Sequence, residues 1–229
     1  MTRARTRFGA GAVAACVYLQ FATPALADGI AAPDDHASPR WQIGVGPMIG
    51  GLVFDPTLDN YRWDVSPTLQ TGAQATVYRG RLATGARVWM AHTTQASGIP
   101  GEAVAPRVNV TAIEWVGEGR MVSYRGVELW GAVHGGRLFL AYDPDQLTFD
   151  PGLGSPITVA YDAISEWDYG VGIEIRGHLT AQLALALQAE NTSFSLDTAH
   201  RNGDEIVESR ERFDQWSLRL QAAWLWNLD

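Results

Sequence analysis

A histidine and a hydroxyl two residues apart are the first residues in this chain that could do chemistry together. His92 and Thr94 lie in the run His92-Thr93-Thr94-Gln95. In an extended segment they share a face, as a base and a hydroxyl nucleophile require. An acid to orient the base is not adjacent; Glu102 or Glu114 would have to be brought to it by a loop. A second set is charged: Arg87, Glu128, Glu174, Arg176, Glu190 and Arg219 recur on one parity of alternating segments, where guanidinium and carboxylate can pair. A third set is acidic and clustered: Asp143, Asp145, Asp150 and Asp162, and then Asp204, Glu205, Glu208 and Glu211 among Arg201, Arg210 and Arg212. These lack the twelve-residue calcium-loop pattern, so a solvated surface is the expectation, with no metal and no cofactor.

The elements that must position these residues are strands. Trp216, Leu218, Leu220, Ala222, Trp224, Trp226 and Leu228 fall on one parity of the C-terminal run. Ser217, Arg219, Gln221, Ala223 and Asn227 fall on the other, with Leu225 the one large apolar intruder. A period of two makes this a strand with one apolar and one polar face. The same alternation recurs upstream. It predicts strands at Trp41–Gly50, Trp63–Tyr78, Leu82–Thr93, Met121–Val133, Arg137–Tyr142, Trp167–Arg176, Leu179–Ser195 and Gln215–Leu228. Pro47 within the first predicts a bulge or bend. Arg79–Arg81, His134–Gly136 and Gly177-His178 read as short turns. Phe54–Tyr61, Gln95–Arg120, Asp143–Ala163 and Leu196–Asp214 read as long loops, the second with a possible strand extension at Val108–Trp115.

Eight strands with connectors alternating short and long predict an all-β fold. The expected architecture is an eight-stranded antiparallel up-and-down transmembrane β-barrel with short periplasmic turns and long extracellular loops. The sign of the alternation favours lipid outside. The apolar parity carries Leu, Val, Ile and Trp with almost no charge, whereas the polar parity mixes Arg and Glu with small residues suited to a narrow interior. Trp167, Tyr169, Trp216, Trp224 and Trp226 are then expected in lipid-facing aromatic girdles, and the six paired charges in the lumen. A soluble lipocalin-like ligand-binding barrel is the inside-out alternative, with Leu183, Leu185 and Trp224 pointing inward.

Arg3, Arg5 and Arg7 precede an apolar run from Phe8 to Ala22 and the small residues Ala25 and Ala27, a secretory signal peptide over 1–27. Residues 28–40 read as a flexible periplasmic segment and 41–229 as the barrel. Val13-Ala14-Ala15-Cys16 has the look of a lipobox, but cleavage there leaves too short an apolar run. Removing the leader takes the only cysteine, Cys16, and lowers the basic count from 17 to 14 against 25 acidic residues, a net charge of −11. Disulfide and thiol chemistry are excluded from the mature chain, and nucleic-acid binding is disfavoured.

On these residues the chain resembles the small eight-stranded outer-membrane barrels of the OmpA/OmpX type, over about Trp41 to Leu228. The terminal strand resembles the signal read by the barrel-insertion machinery, although that signal ends on an aromatic and this chain runs on from Trp226 to Asp229. The resemblance implies membrane integration and no catalytic residues; residence in the cell outer membrane, contact with outer-membrane lipid and lipopolysaccharide, and a monomer are the accompanying expectations. The expected role is structural, surface-interacting or weakly permeating. The alternative is a lipid A-modifying hydrolase similar to outer-membrane deacylases, which carry a His and a Ser on neighbouring outward positions; here the serine is Thr94 and the following Asn is Gln95.

Overall fold

In the computed structural model the described residues are 41–96, 105–149, 156–202 and 205–228. Contacts divide the chain into two units, Met1–Ala37 and Ser38–Asp229. The first lies outside the described residues, as do the signal peptide and the segment 28–40 expected from the sequence.

The second unit is built from ten strands. They are β1 (Trp41–Val53), β2 (Thr68–Arg79), β3 (Leu82–Thr94), β4 (Arg107–Tyr124), β5 (Val127–Asp143), β6 (Gln146–Phe149), β7 (Ile157–Ala160), β8 (Ile164–Thr180), β9 (Leu183–Asn202) and β10 (Glu205–Leu228). Eight of them close a barrel in the order β1-β10-β9-β8-β5-β4-β3-β2, every pairing antiparallel. β6 and β7 form a separate hairpin in the connection between β5 and β8. Closure pairs β1 with β10 and leaves the membrane-crossing sheet without a free edge.

The count of eight barrel strands agrees with the alternation, but two of the strands do not lie where the sequence suggested. His134, Gly135 and Gly136 are not a turn. They sit in the middle of β5, paired with Val116, Trp115 and Glu114 on one side and with Gly170, Tyr169 and Asp168 on the other. The glycine at 136 serves close approach: a Cβ there would collide with the backbone of Ile113 and Glu114. The turn is Arg125-Gly126, where φ is 48° and 81°, the left-handed pair that a two-residue hairpin loop needs. The segment read as an irregular loop with a possible strand at Val108–Trp115 is β4, 18 residues long. The third tight connection moves likewise, from Gly177-His178 to Ala181-Gln182. The charged stretch 196–214 is not loop but the outer half of the β9–β10 hairpin.

At Pro47, where a bulge or bend is expected, the ladder to β10 is interrupted. Pairing of β1 with β10 lapses at Gly46 and Pro47 and resumes in the same register at Met48, so there is no bulge. A Cβ at Gly46 would strike the Ala222 carbonyl. The glycine lets the two backbones close up beside a residue that has no N–H to give.

The outer face is apolar. Ile49, Leu69, Ile113, Val133, Val171, Ile173, Leu187, Leu218 and Leu220 point away from the barrel and are exposed. Trp224 is 51% exposed and points outward too, opposite to the soluble-barrel alternative. Trp216 and Trp226 bracket this band on β10, ten residues apart. At ~3.3 Å per residue and a tilt of ~40–45°, that separation spans about 24 Å, the height of the apolar band of a membrane barrel. Guanidiniums cap the girdles at both ends. Arg79 lies 4.9 Å from the Trp41 ring and Arg125 5.1 Å from Tyr124 at the end with the short turns. Arg137 lies 4.9 Å from Trp167 and Arg212 5.6 Å from Tyr169 at the other. Long charged side chains that stack on interfacial aromatics keep their heads in water while their stems cover apolar surface.

Between β1 and β2 the chain crosses the outer mouth. Pro56–Tyr61 makes a short 3-10 turn, and Phe54, Leu58 and Trp63 point down into the barrel, each 4% exposed or less. Asp55 holds this segment in place. One carboxylate oxygen accepts from the Thr57 N–H and hydroxyl, at 2.8 and 2.7 Å, and the other from the Asp214 N–H at 3.0 Å. Partial burial pushes the Asp55 carboxyl up, but these donors outweigh it and hold it below the usual carboxylate range. A carboxyl held low in the folded state contributes stability above its unfolded-chain pKa and loses it as pH falls through the folded value. Asp55→Ala is therefore expected to cost about 1 kcal/mol at neutral pH, with the difference from wild type closing in acid. Unfolding midpoints of both proteins across an acid series check this; a gap that widens as the pH falls contradicts it.

Candidate functional site

The interior is filled in layers, and the inward parity of each strand decides what each layer contains. At the outer end an apolar cluster joins the mouth segment (Phe54, Leu58, Trp63) to Leu52, Val108, Val110, Leu138, Leu140, Phe194 and Phe213. At the end with the short turns a smaller cluster contains Tyr78, Ala83, Trp130, Ala184, Ala223 and Leu225. Leu225, the apolar intruder on the polar parity of β10, is thereby explained: it closes the lumen at that end.

Charge occupies the layers between. Glu190 on β9 is the hub. The Arg87 guanidinium from β3 grips it through two nitrogens, both at 2.7 Å, and Arg219 from β10 reaches the same carboxylate. Arg87 turns its Nε to Glu114 on β4, whose other oxygen accepts from the Trp89 indole N–H at 2.9 Å. Arg87, Glu114, Glu190 and Arg219 are each 3% exposed or less. Buried charges persist only when paired and hydrogen-bonded, and here Arg87 meets Glu190 across the barrel while Arg219 meets it from the neighbouring strand. A second layer lies nearer the short turns. Arg176 pairs with Glu118 at 3.0 Å and with Glu174, Gln188 donates to Glu174 at 2.6 Å, and Gln74 donates to Glu118 at 2.9 Å. The Arg176 guanidinium lies over both the Tyr78 and Trp130 rings, at 4.7 and 4.6 Å. Below it, Glu128 accepts from Arg120 at 2.7 Å and from the Trp130 indole at 2.9 Å.

Arg87, Glu128, Glu174, Arg176, Glu190 and Arg219 thus all lie inside: Arg87, Glu190 and Arg219 in the central layer, Glu174 and Arg176 in the second, and Glu128 below it. Trp167, Tyr169, Trp216, Trp224 and Trp226 lie outside, each more than half exposed. Sequence reading left out Glu118 and His134, and placed Glu114 on a loop. Continuing the alternation through Val108–Trp115 would have put Glu114 and Glu118 on the inward parity with Val108 and Val110. Reading His134 as a turn residue hid it.

His134 has a geometry that invites a catalytic interpretation. Its Nε2 lies 2.9 Å from the Thr192 hydroxyl and its Nδ1 3.6 Å from Glu190. This is a hydroxyl, a base and an acid in sequence, the arrangement of an activated nucleophile. Two facts set it apart from an exposed catalytic group. Thr192 is 5% exposed, and Glu190 is already neutralised by Arg87 and Arg219, which leaves it little charge with which to support an imidazolium. The ring reaches Thr192 by crossing β8 above Gly170, where a Cβ would stand 2.2 Å from the Asn191 backbone carbonyl and 2.6 Å from the imidazole. Gly170→Ala is expected to dislodge His134, press on the β9 backbone at Asn191 and cost about 1–3 kcal/mol. A denaturant midpoint shared with wild type would show that both the imidazole and β9 have room to give.

His92 and Thr94 project from the outer face near the outer end of β3, both exposed. The backbone carbonyl of His92 accepts from the Thr68 hydroxyl at 2.7 Å. Among the described residues no hydrogen bond joins the His92 ring to a carboxylate or to Thr94. Glu114 cannot be recruited by a loop, because it is buried in the barrel and held by Arg87 and Trp89; Glu102 lies outside the described residues. Asp143, Asp145 and Asp162 do not converge with other such side chains into a metal-holding group among the described residues, and Asp150 and Asp204 lie outside them.

Two hollows open at opposite ends of the lumen. The larger, about 650 Å³, lies at the outer mouth between the mouth segment, the end of β3, Tyr142, Ile164 and the β9 residues Leu196–Ala199. The smaller, about 200 Å³, is lined by Tyr78, Arg120, Glu128, Trp130, Arg176 and His178. Neither is lined by Arg87, Glu114, Glu190 or Arg219. The central ion-pair layer stands between them.

No known protein family and no curated protein matches the chain. Among solved structures it is similar to the outer membrane protein AlkL (15% identity over 87% of this chain and 95% of that one, TM-score 0.49). It is also similar to the Neisserial surface protein A, NspA (9%, 79% and 95%, 0.44). A major outer membrane protein from Thermus thermophilus matches as well (13%, 81% and 99%, 0.39). The likeness is one of fold, that of small bacterial outer-membrane β-barrels.

Proposed function

We propose that this chain is a plugged, non-catalytic barrel of the bacterial outer membrane that acts at the cell surface through its outer mouth and not as a channel. The observation that carries this reading is the closed centre of the lumen. Four fully buried charged side chains from β3, β4, β9 and β10 fill it with ion pairs, and apolar clusters cap it on both sides. An eight-stranded barrel is just wide enough for its own side chains to fill. A solute could pass only by breaking Arg87 and Arg219 away from Glu190, which would strand charges in a medium that cannot hydrate them. The monomer is surrounded by outer-membrane lipid and lipopolysaccharide, to which the arginine-capped girdles present cations at both interfaces, and is inserted by the barrel-assembly machinery that reads its last strand. A hydrolytic role for His92 and Thr94 lacks an orienting acid among the described residues and is the lesser reading.

Reconstitution into planar lipid bilayers tests the proposal. The purified protein is expected to give no steady single-channel steps above the lipid baseline. Reproducible steps of fixed amplitude would overturn the plugged reading.

A further inference from the structure

We propose that the hollow at the outer mouth is a saccharide-binding site that takes a neutral ligand of one or two hydroxyl-rich rings. At about 650 Å³ it falls within the ~300–1,000 Å³ of small-molecule sites. Its floor, Leu58, Trp63 and Leu196, is buried plug, so the wall offered to a ligand comes from other residues. Two of these are half-buried tyrosines whose rings are already fixed. Tyr61 stands edge-on to Phe213 at 6.0 Å, and Tyr142 stacks on Tyr161 at 5.0 Å. Rings held in place before the ligand arrives cost little to use, and an aromatic ring suits the C–H side of a pyranose.

The polar groups decide the ligand class. Gln95 spends its amide N–H on the Tyr61 carbonyl at 3.2 Å, which fixes the orientation of the amide, since the reverse would set two acceptors together. Its Oε1 is left buried with no donor. Arg62 has its backbone tied on both sides, to the Asp59 carbonyl and the Ala96 N–H, each at 2.9 Å. Its guanidinium has no carboxylate partner among the described residues, and Asp197, the acid of the lining, is paired with Arg210 at 3.0 Å. The site therefore asks for one donor and several acceptors close together. An anion satisfies Arg62 but sets a second acceptor against Gln95, and it must approach a mature chain of net charge −11, with 14 basic against 25 acidic residues. An apolar ligand satisfies neither group. Adjacent hydroxyls on a neutral ring supply both, because each donates once and accepts twice.

The source of the sugar rests on the reading that this end faces the exterior. A free saccharide and the sugars of the cell's own lipopolysaccharide share this chemistry. The test is saturation-transfer NMR and calorimetry on the mature protein in detergent. One arm uses glucose, galactose, N-acetylglucosamine and lactose; the other uses core oligosaccharide released from lipopolysaccharide. At least one probe is expected to bind with Kd of about 1 mM or tighter, and the arm that binds more tightly identifies the source. Tyr142→Ala and Gln95→Leu are each expected to weaken it about tenfold, with the heat-modifiable gel mobility unchanged. No binding by any probe at about 10 mM, or binding indifferent to both substitutions in folded protein, would overturn the proposal. Neither measurement depends on membrane orientation or conductance, so its failure is separable from that of the plugged-barrel reading, which bilayer currents test.

Discussion

Replacing Glu190 with alanine is expected to cost the barrel about 3–5 kcal/mol, the largest effect of any single substitution in the lumen. The carboxylate sits on β9, but the charges it neutralises come from β3 and β10, so it ties together strands that do not all pair with one another. Its loss leaves Arg87 with Glu114 alone and Arg219 with no carboxylate partner, both buried, and His134 without its acidic neighbour. The cost is the stranding of guanidiniums more than the loss of attraction, so Glu190→Gln is expected to fall between wild type and Glu190→Ala: it keeps an acceptor of the same shape and removes the charge. Urea unfolding in detergent, followed by the gel mobility of the folded form, measures the differences. A Glu190→Ala barrel within about 0.5 kcal/mol of wild type would mean that the central layer is not held by this carboxylate, and the plugged-lumen account would fail with it.

The second large effect is on the other face. Leu220→Arg is expected to cost about 2–4 kcal/mol in a lipid bilayer. Leu220 points outward from β10, between Trp216 and Trp226, and its strand partners there are Ile49 and Leu187. Its exposure of 49% would make the same substitution nearly neutral on a water-facing surface. Depth dependence supplies the control: Glu208→Arg, exposed on the β9–β10 hairpin beyond the girdle opposite Ala199, is expected to change little despite carrying the same side chain. Refolding yields into phosphatidylcholine vesicles compare the two. Equal tolerance at both positions would place water, not hydrocarbon, against Leu220.

How far the sequence could be read depended on whether a strand alternates cleanly. β8 and the membrane part of β10 alternate almost without exception, and their inward and outward residues follow from parity alone. β4 hid because its inward parity begins with Val108, Val110 and Ala112 before reaching Glu114 and Glu118, so both faces of its first half look apolar or weakly polar. Those three residues belong to the apolar plug, a feature set by packing against Leu138, Leu140 and Trp63 from other elements. With β4 hidden in the alternation, the next tight connection falls by composition on His134-Gly135-Gly136. Gly136 answers instead to close backbone approach at Ile113 and Glu114, and the run passes straight through β5. The charged hairpin 196–214 misled for a related reason: charge density signals solvent, and these strands are indeed in solvent, above the membrane, yet still paired. The outer-mouth hollow was not legible at all. Tyr61, Gln95, Tyr142 and Thr198 come from four distant stretches, and their convergence depends on a mouth segment whose inward turn is set by Asp55 and three buried apolar side chains.

The account rests on one claim above the others, that this is a closed barrel with its apolar face in a bilayer. Gel mobility of the detergent-extracted mature protein, with and without boiling, tests it most directly. A compact unboiled form that migrates differently from the boiled chain, recovered from the outer-membrane fraction, is the predicted result. A protein that stays soluble in plain buffer and shows one mobility under both conditions would contradict it.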